Sequence, residues 1–280
     1  MLQPILITGA SGVLGRALVS TFTQAGVSVR QAVRQPEKAR AGVAWVRLDY
    51  TDPATIAPAL AGIQGLVLMA PPLDPDAPGK LGPVVTRAKQ AGLRHIIFIS
   101  ALGVNHNEQA PLRVVEHLVI DSGIPYTILR PNFFMENFSE GSLTGGIKAQ
   151  NGIFLAAGEG KTSFISVLDI ASAALAAFEK GVTGEFDLTG PEALDHTEAA
   201  RAIGKASGRP VTYHALTEEQ MVAGAREAGM PESTIGYLTV LYSVVRDGYM
   251  ATVTPDVERL TGRKPTTFGE FTKANAARWQ

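Results

Sequence analysis

A short apolar run, PILIT at residues 4–8, leads directly into three glycines with the spacing Gly-x-x-Gly-x-x-Gly. Apolar residues then recur at helical spacing over residues 12–25. A buried strand, a tight glycine turn and a helix in this order predict the start of a βαβ unit. Gly9 allows the turn, Gly12 lets the backbone approach a phosphate, and Gly15 lets the helix pack closely on the strand. An ordinary glycine turn has the same spacing, so the motif alone leaves the ligand open.

The alternation of strand and helix continues to about residue 130. Strands joined by helices pair in parallel through right-handed crossovers. The sequence therefore predicts the α/β class, a Rossmann doubly wound parallel sheet with a smaller, mostly helical C-terminal substrate lobe. Further strands are predicted near residues 27–33, 43–48, 65–70, 95–100, 125–130 and 184–189.

The regular alternation of strands and helices ends after residue 131. An aromatic segment and glycine-rich turns follow it. The last ninety residues are more polar and mostly helical in pattern. We therefore predict two domains. Residues 1–131 and 162–190 would form the nucleotide-binding Rossmann domain, and residues 132–161 and 191–280 the substrate-binding lobe.

Composition limits the chemistry that the chain can perform. The 280 residues include no cysteine, and 25 Lys and Arg face 26 Asp and Glu. Without cysteine, disulfides, thiolate metal sites and a cysteine nucleophile are excluded. The near-zero net charge argues against nucleic acid and membrane surfaces as partners. The five histidines show no ligand spacing, so no metal is predicted. The start MLQPILITGA lacks a signal-peptide pattern, and we expect a cytoplasmic protein.

A basic segment lies at the end of the second predicted strand. Residues 28–47 hold five Lys and Arg against Glu37. Arg34 stands where proteins that bind a free ribose 2′-hydroxyl place an acidic residue. A guanidinium can hold a 2′-phosphate and stack on adenine, which favours NADP(H) over NAD(H). A solvated basic face is the alternative. Asp49, after the third strand, could accept from the adenine amino group or cap a turn.

These motifs together resemble the atypical short-chain dehydrogenase/reductase group, and specifically its NmrA-like family. The resemblance covers nearly the whole chain. It includes ITGASGVLG at 7–15, HIIFISALG at 95–103, SGIPYTILRPNFFMEN at 122–137 and LTGRKPTTFGEF at 260–271. The family includes NAD(P)H-dependent quinone reductases and triphenylmethane reductase, and it also includes non-catalytic regulators. The resemblance implies a Rossmann layer that binds NADP(H).

The glycine motif and the resemblance together assign cofactor contacts to residues at the carboxyl ends of the strands. The assigned residues are Thr8, Gly9, Ser11, Gly12, Val13, Leu14, Gly15, Arg34, Asp49, Ala70, Pro71, Ser100, Pro131, Asn132 and Phe133. Aromatic rings suit a planar apolar acceptor, and one amide could orient it. The predicted substrate contacts are Phe133, Phe134, Asn137 and Phe138, with core packing as the alternative.

The chain has no Tyr-x-x-x-Lys, the motif in which ordinary short-chain dehydrogenases carry their proton donor. Tyr126 and Arg130 have a similar spacing but lie in a predicted strand. Tyr242 and Arg246 lie in a predicted helix, in another part of the chain. Reduction of a quinone or a cationic dye gives a stabilised product that water can protonate, so such an enzyme needs orientation rather than an acid.

We therefore predict an NADPH-dependent oxidoreductase that transfers hydride to a quinone-like or conjugated electrophilic small molecule. The sequence assigns no catalytic residue, and the candidates are Ser100, which the resemblance places near the nicotinamide, and His106, in the loop after it, as a proton donor to be tested. The alternative is a non-catalytic NADP(H)-sensing regulatory protein of the NmrA type. The expected partner is an aromatic or quinone-like small molecule, with no direct nucleic-acid contact, and the expected state is a monomer or homodimer.

Overall fold

The computed structural model describes residues 4–280, and these residues divide into two compact units. The first unit comprises residues 4–131, 167–188 and 256–263, and the second comprises 132–166, 189–255 and 264–280. Within these described residues, no helix has both the length and the apolar character needed to cross a membrane.

The first unit is a parallel sheet of seven strands with helices between them. Its strands run in the order β3-β2-β1-β4-β5-β6-β8, and every neighbouring pair is parallel. The strands are β1 (Ile5–Ile7), β2 (Val29–Val33), β3 (Ala44–Arg47), β4 (Gly65–Met69), β5 (His95–Ile99), β6 (Tyr126–Pro131) and β8 (Gly184–Leu188). The helices are α1 (Val13–Gln24), α2 (Ile56–Leu60), α3 (Ala77–Gln90), α4 (Pro111–Asp121), α6 (Val167–Lys180) and α10 (Asp256–Thr261). The predicted doubly wound α/β fold is confirmed.

The central strands are apolar on both faces because helices cover both faces of the sheet. Every residue of β1 and β5 is buried, and Leu66, Phe98 and Ile128 lie in one continuous core. The strand order reverses between β1 and β4. In open sheets of this kind the carboxyl ends beside such a reversal form the ligand site. The residues that follow β1, β2, β4, β5 and β6 all lie at this edge.

The second unit is mostly helical. Its helices are α5 (Thr144–Gln150), α7 (His196–Ser207), α8 (Glu218–Glu227), α9 (Glu232–Arg246) and α11 (Phe268–Ala274). Capping boxes begin three of them, at Asp195, Thr217 and Thr267. Two short parallel strands, β7 (Gly152–Leu155) and β9 (Thr212–Ala215), pair with each other, and sequence analysis did not predict this sheet.

The boundaries of the units differ from the predicted domains in three places. Residues 162–166 and 189–190 group with the second unit, whereas residues 256–263 group with the first. The last difference has a clear cause. The Asp256 carboxylate accepts a hydrogen bond from the backbone N–H of Asp187 at 3.0 Å, and Lys180 donates to the Leu260 carbonyl at 2.8 Å. These bonds attach α10 to β8 and α6, which no local sequence pattern reveals.

Candidate cofactor site

The glycine loop after β1 leaves room for a ligand on one side and none on the other. Gly9 has a φ of 59°, and the Gly12 N–H donates to its carbonyl at 3.0 Å. A Cβ on Gly15 would lie 2.0 Å from the Gly9 oxygen and 2.7 Å from the Cα of Ala10, so only glycine allows this approach of α1. A Cβ on Gly12 would meet only the Gly9 oxygen, at 3.4 Å.

The N-terminus of α1 faces this open side without a side-chain cap. Gly12 occupies the N-cap position, and no side chain accepts a hydrogen bond from the first turn. The first N–H groups of a helix are unpaired within it and carry its positive dipole, so they bind anions such as a pyrophosphate. Ser11, which is exposed, and the backbone of Val13 lie at this point. The loop therefore fits a dinucleotide.

Two residues assigned to the cofactor act instead by holding the loop in place. The Thr8 hydroxyl donates to the Val67 carbonyl at 3.2 Å and accepts from the Met69 N–H at 2.8 Å, which ties β1 to β4. The side chain of Leu14 is buried in the core. Both side chains are therefore engaged within the fold, and the assignment of these two residues to the cofactor stays a prediction about their backbone groups.

Arg34 follows directly after β2 and is exposed. Its guanidinium forms no hydrogen bond or ion pair with any residue that the structure describes. Two other cations of the basic segment are occupied: Arg30 donates to the Ala61 carbonyl at 2.7 Å, and Arg47 lies 3.5 Å from Asp52. The basic segment is therefore not one uniform face, and Arg34 is free to bind an anion at the ligand edge.

Asp49 caps a turn, as the alternative interpretation of the sequence held. Its Oδ1 accepts from the N–H of Thr51 at 3.0 Å and from the Thr51 hydroxyl at 2.8 Å. These hydrogen bonds hold the pKa of Asp49 below its usual value. Ala70 and Pro71 follow β4 and are partly exposed at the ligand edge. The Tyr50 hydroxyl secures this point by donating to the Met69 carbonyl at 2.8 Å.

Ser100 follows β5, and its hydroxyl is occupied by a buried carboxylate. Ser100 Oγ donates to Glu116 Oε1 at 2.6 Å. Arg130 holds the same carboxylate with two hydrogen bonds, from Nε at 2.8 Å and from Nη2 at 2.7 Å, and Arg113 Nη1 adds a fourth at 2.9 Å. The Glu116 side chain is completely buried. Its burial would raise its pKa, but the hydrogen bonds from Arg130, Ser100 and Arg113 outweigh burial and lower it.

Arg130 joins this carboxylate to two acidic side chains of the neighbouring strand β8. Its Nη2 also binds Glu185, and its Nη1 lies 3.7 Å from Asp187 Oδ1. Burial would lower the pKa of Arg130, but Glu116 and Glu185 raise it, so the guanidinium stays charged. Sequence analysis missed Glu116 as a partner of Ser100. The only signal was a glutamate on the helix after β5 and an arginine in the next strand.

His106 lies at the end of a 3₁₀ turn, Val104–His106, and is exposed. Its ring makes no hydrogen bond with the described part of the chain. The backbone N–H of His106 donates to the Gly103 carbonyl at 3.1 Å, which fixes the turn but not the ring. The structure therefore assigns His106 no partner that would orient it as an acid.

The aromatic segment after β6 divides into buried and partly exposed residues of the second unit. Phe138 is 1% exposed, and its ring packs edge-on against Phe164 and Phe268 at 5.2 and 5.3 Å. Phe138 is therefore a core residue, which is the alternative that the sequence left open for this segment. Phe133, Phe134 and Asn137 are partly exposed.

Two further assigned residues, Asn132 and Pro131, are buried. Asn132 Nδ2 donates to Ser163 Oγ at 2.7 Å and to the Met250 carbonyl at 2.9 Å, and its Oδ1 accepts from the Phe133 N–H at 2.9 Å. Its amide is thus occupied by the second unit itself. Pro131, the last residue of β6 in the first unit, accepts from the Leu102 N–H at 3.0 Å. Both residues shape the chain near the ligand edge rather than offering a free polar group.

Comparison with known proteins identifies the family. The sequence profile of a family described as NAD(P)H-binding matches residues 9–181. The NAD(P)H azoreductase of Xenophilus azovorans is 34% identical, with 98% of each chain covered. This chain belongs to the NAD(P)H-binding family. Quinone oxidoreductase 2 of Escherichia coli is a further relative, at 30% identity over 95% of this chain and 96% of its own. The similarity to NAD(P)H-dependent quinone reductases, drawn from the sequence, is confirmed.

Solved structures of the NAD(P)H-binding family share the fold over almost the whole chain. The Escherichia coli NADPH-dependent quinone oxidoreductase complexed with NADPH aligns with a TM-score of 0.82 at 27% identity, covering 96% of this chain and 99% of its own. The Citrobacter triphenylmethane reductase aligns with a TM-score of 0.84 at 23% identity, which shows the fold alone. No group of His, Asp and Glu among residues 4–280 is arranged to hold a metal ion.

Proposed function

We propose that this protein is an NADPH-dependent oxidoreductase that reduces a quinone-like or conjugated electrophilic small molecule. Bound NADPH supplies a hydride, so the protein has to bind and orient its ligands. The proposed cofactor contacts are the backbone of Gly9, Ser11, Gly12 and Val13 and the guanidinium of Arg34. Ala70 and Pro71 are proposed to line the adenosine side.

The observation that carries the proposal is the state of Ser100. Its single hydroxyl proton is donated to Glu116, and the chain lacks a Tyr-x-x-x-Lys motif. Reduction of a simple ketone produces an alkoxide, which needs a strong proton donor. Hydride transfer to a quinone gives a conjugated phenolate, and transfer to a cationic dye gives a neutral product, so neither needs a proton from the protein. A site without an acid therefore favours this second class of acceptor, which agrees with the name of the quinone oxidoreductase relative.

The second unit offers an aromatic surface for such an acceptor. The ring of Phe133 lies 6.2 Å from that of Tyr242 on α9. Phe133 is partly exposed, and Phe134 and Asn137 follow it in the same segment. Planar conjugated molecules stack on such rings, and one amide can orient them. We propose that Phe133, Phe134 and Asn137 contact the acceptor.

NADPH oxidation with a panel of acceptors tests the proposed activity. We expect turnover with quinones and cationic dyes and none with unconjugated ketones, because only the former need no enzymic acid. Absorbance at the NADPH band measures the reaction. If no acceptor is reduced above background while NADPH still binds, the oxidoreductase proposal is wrong. The non-catalytic NmrA-type alternative would then be favoured.

Arg34→Glu is expected to weaken NADPH binding by about 10- to 100-fold, because a charged hydrogen-bond partner of the 2′-phosphate is replaced by a repelling charge. NADH binding should change little, since NADH lacks that phosphate. Calorimetric titration with both cofactors measures the effect. Arg40→Glu is the matched control, because Arg40 is also exposed on the connection from β2 to β3. Equal losses for NADPH and NADH, or equal losses in both variants, would contradict the role of Arg34.

A further inference from the structure

The geometry of the first unit indicates which half of the dinucleotide lies near Ser100. The glycine loop follows β1 and Arg34 follows β2, so the adenosine end belongs over the β1–β2 side of the sheet. A dinucleotide crosses the point where the strand order reverses, which lies here between β1 and β4. Its nicotinamide half therefore extends over the ends of β4, β5 and β6. Ser100 is the residue that follows β5.

The buried network fixes the hydrogen-bonding capacity of Ser100. Glu116 accepts four hydrogen bonds, two on each oxygen, and three of them come from the guanidinium groups of Arg130 and Arg113. A carboxylate held this way stays ionised and can only accept. The hydroxyl of Ser100 has one proton, and that proton is donated to Glu116. Ser100 Oγ can therefore only accept a further hydrogen bond, from a donor on the ligand.

We propose that Glu116 and Arg130 are positioning residues that hold Ser100 Oγ as a fixed hydrogen-bond acceptor for an N–H or O–H of the nicotinamide riboside half. Ser100 then supplies no proton to the reduced acceptor. The proposal rests on dinucleotide binding by the first unit. It assigns Glu116 a ligand-dependent role in addition to its part in the fold, because rotation of the Ser100 hydroxyl away from Glu116 would remove one of the four hydrogen bonds to a buried carboxylate.

Truncated ligands test this role without any turnover. NADP⁺ contains the nicotinamide riboside half, whereas 2′-phospho-adenosine diphosphate lacks both the nicotinamide ring and its ribose. Ser100→Ala is expected to weaken NADP⁺ binding about tenfold, the loss of one hydrogen bond, while binding of the truncated ligand changes less than about twofold. Calorimetry measures both affinities. An analogue of NADP⁺ with acetyl in place of the carboxamide then distinguishes the donors: if the Ser100→Ala effect disappears with it, the donor is the carboxamide N–H, and otherwise it is a ribose hydroxyl.

Ser122→Ala is the matched control. Ser122 is also a buried serine of the first unit, and its hydroxyl donates to the Val119 carbonyl at 2.6 Å and accepts from the Ile124 N–H at 3.1 Å. It lies after α4, before β6 begins, and so away from the ligand edge. This variant makes the same chemical change in a buried serine. We expect it to leave the affinities for both ligands unchanged.

Glu116→Gln tests the positioning role itself. The amide keeps the shape of the side chain but cannot accept all four hydrogen bonds, so the Ser100 hydroxyl loses its fixed orientation. We expect a selective loss of NADP⁺ affinity of about five- to tenfold. Unchanged binding of the truncated ligand, together with circular dichroism, shows that the variant is folded. If the variant does not fold, Glu116→Asp, which keeps the charge but shortens the side chain that holds Ser100 Oγ, is measured in its place with the same selective loss expected.

Three outcomes would overturn the proposal: equal losses for NADP⁺ and the truncated ligand, no loss for either, or the same loss in Ser122→Ala. Failure of the proposed function has a different signature. In that case no acceptor is reduced. Ser100→Ala still weakens NADP⁺ binding more than binding of the truncated ligand, because both affinities are measured without turnover.

Discussion

Replacing Arg130 by Met is expected to lower the free energy of unfolding by about 3–5 kcal/mol, the usual cost of removing one partner of a buried ion pair. Arg130 provides two of the four hydrogen bonds to Glu116, whose side chain is completely buried. Methionine fills much of the space but offers no donor. The carboxylate would then be retained in the interior with Arg113 as its remaining cation. Urea denaturation at pH 7 measures the loss.

The same variant should have a characteristic dependence on pH. In the wild type the pKa of Glu116 is lowered, so this group contributes stability above its unfolded-state pKa, and that contribution is lost as the pH falls through the folded-state value. Without Arg130, burial dominates and raises the pKa of Glu116. Protonation then relieves the buried charge. The difference in stability between wild type and variant should therefore shrink as the pH falls from 7 to about 5.

Arg30→Met is the control for this prediction. Arg30 lies on β2 in the same sheet, but it donates to the backbone carbonyls of Ala61 and Ala59 and not to a carboxylate. Its loss should cost only about 1 kcal/mol, and the cost should not vary with pH over the same range. If Arg30→Met and Arg130→Met lose equal stability with equal pH dependence, the buried carboxylate is not the cause.

The sequence predicts the sheet and the glycine loop because both depend on local patterns. Apolar runs of strand length, helical periodicity and the spacing of Gly9, Gly12 and Gly15 are all contained within a few residues of one another. The Glu116–Arg130 pair depends instead on where α4 packs relative to β6, and residue spacing does not determine this. Its members are 14 residues apart in sequence. A similar limit explains why the attachment of α10 to β8 was missed.

The candidate site was predicted least well where a residue type serves both packing and binding. Phe133 and Phe138 belong to the same aromatic segment, yet one is partly exposed and the other is a core residue. Asn132 could orient a ligand by its amide, but the second unit uses that amide to bind Ser163 and Met250. Residue type indicates which chemistry a position can perform. Only burial and partners decide whether the position is free to perform it.

Acid is expected to destabilise the second unit through His196, by roughly 3 kcal/mol between pH 6.5 and pH 4. His196 is 2% exposed and lies against the rings of Phe164 and Tyr213, at 5.6 and 5.3 Å. Its Nδ1 has no hydrogen-bond partner within residues 4–280. Burial lowers its pKa to about 4, and the charge of Asp195 opposes this only in part.

The sign follows from proton uptake by the two states. Because the folded-state pKa of His196 is depressed, the unfolded chain takes up a proton below about pH 6.5 while the folded chain does not until about pH 4. Stability is therefore full above pH 6.5 and falls as the pH decreases. His196→Leu removes this titration, so its unfolding free energy should fall less steeply over that range. Part of the dependence of the unfolding free energy on pH should remain in His196→Leu, because His95 in the first unit also has a lowered pKa. His214→Leu, at an exposed position of β9, is the control and should show the wild-type dependence of unfolding free energy on pH. The prediction is contradicted if His196→Leu shows that same dependence.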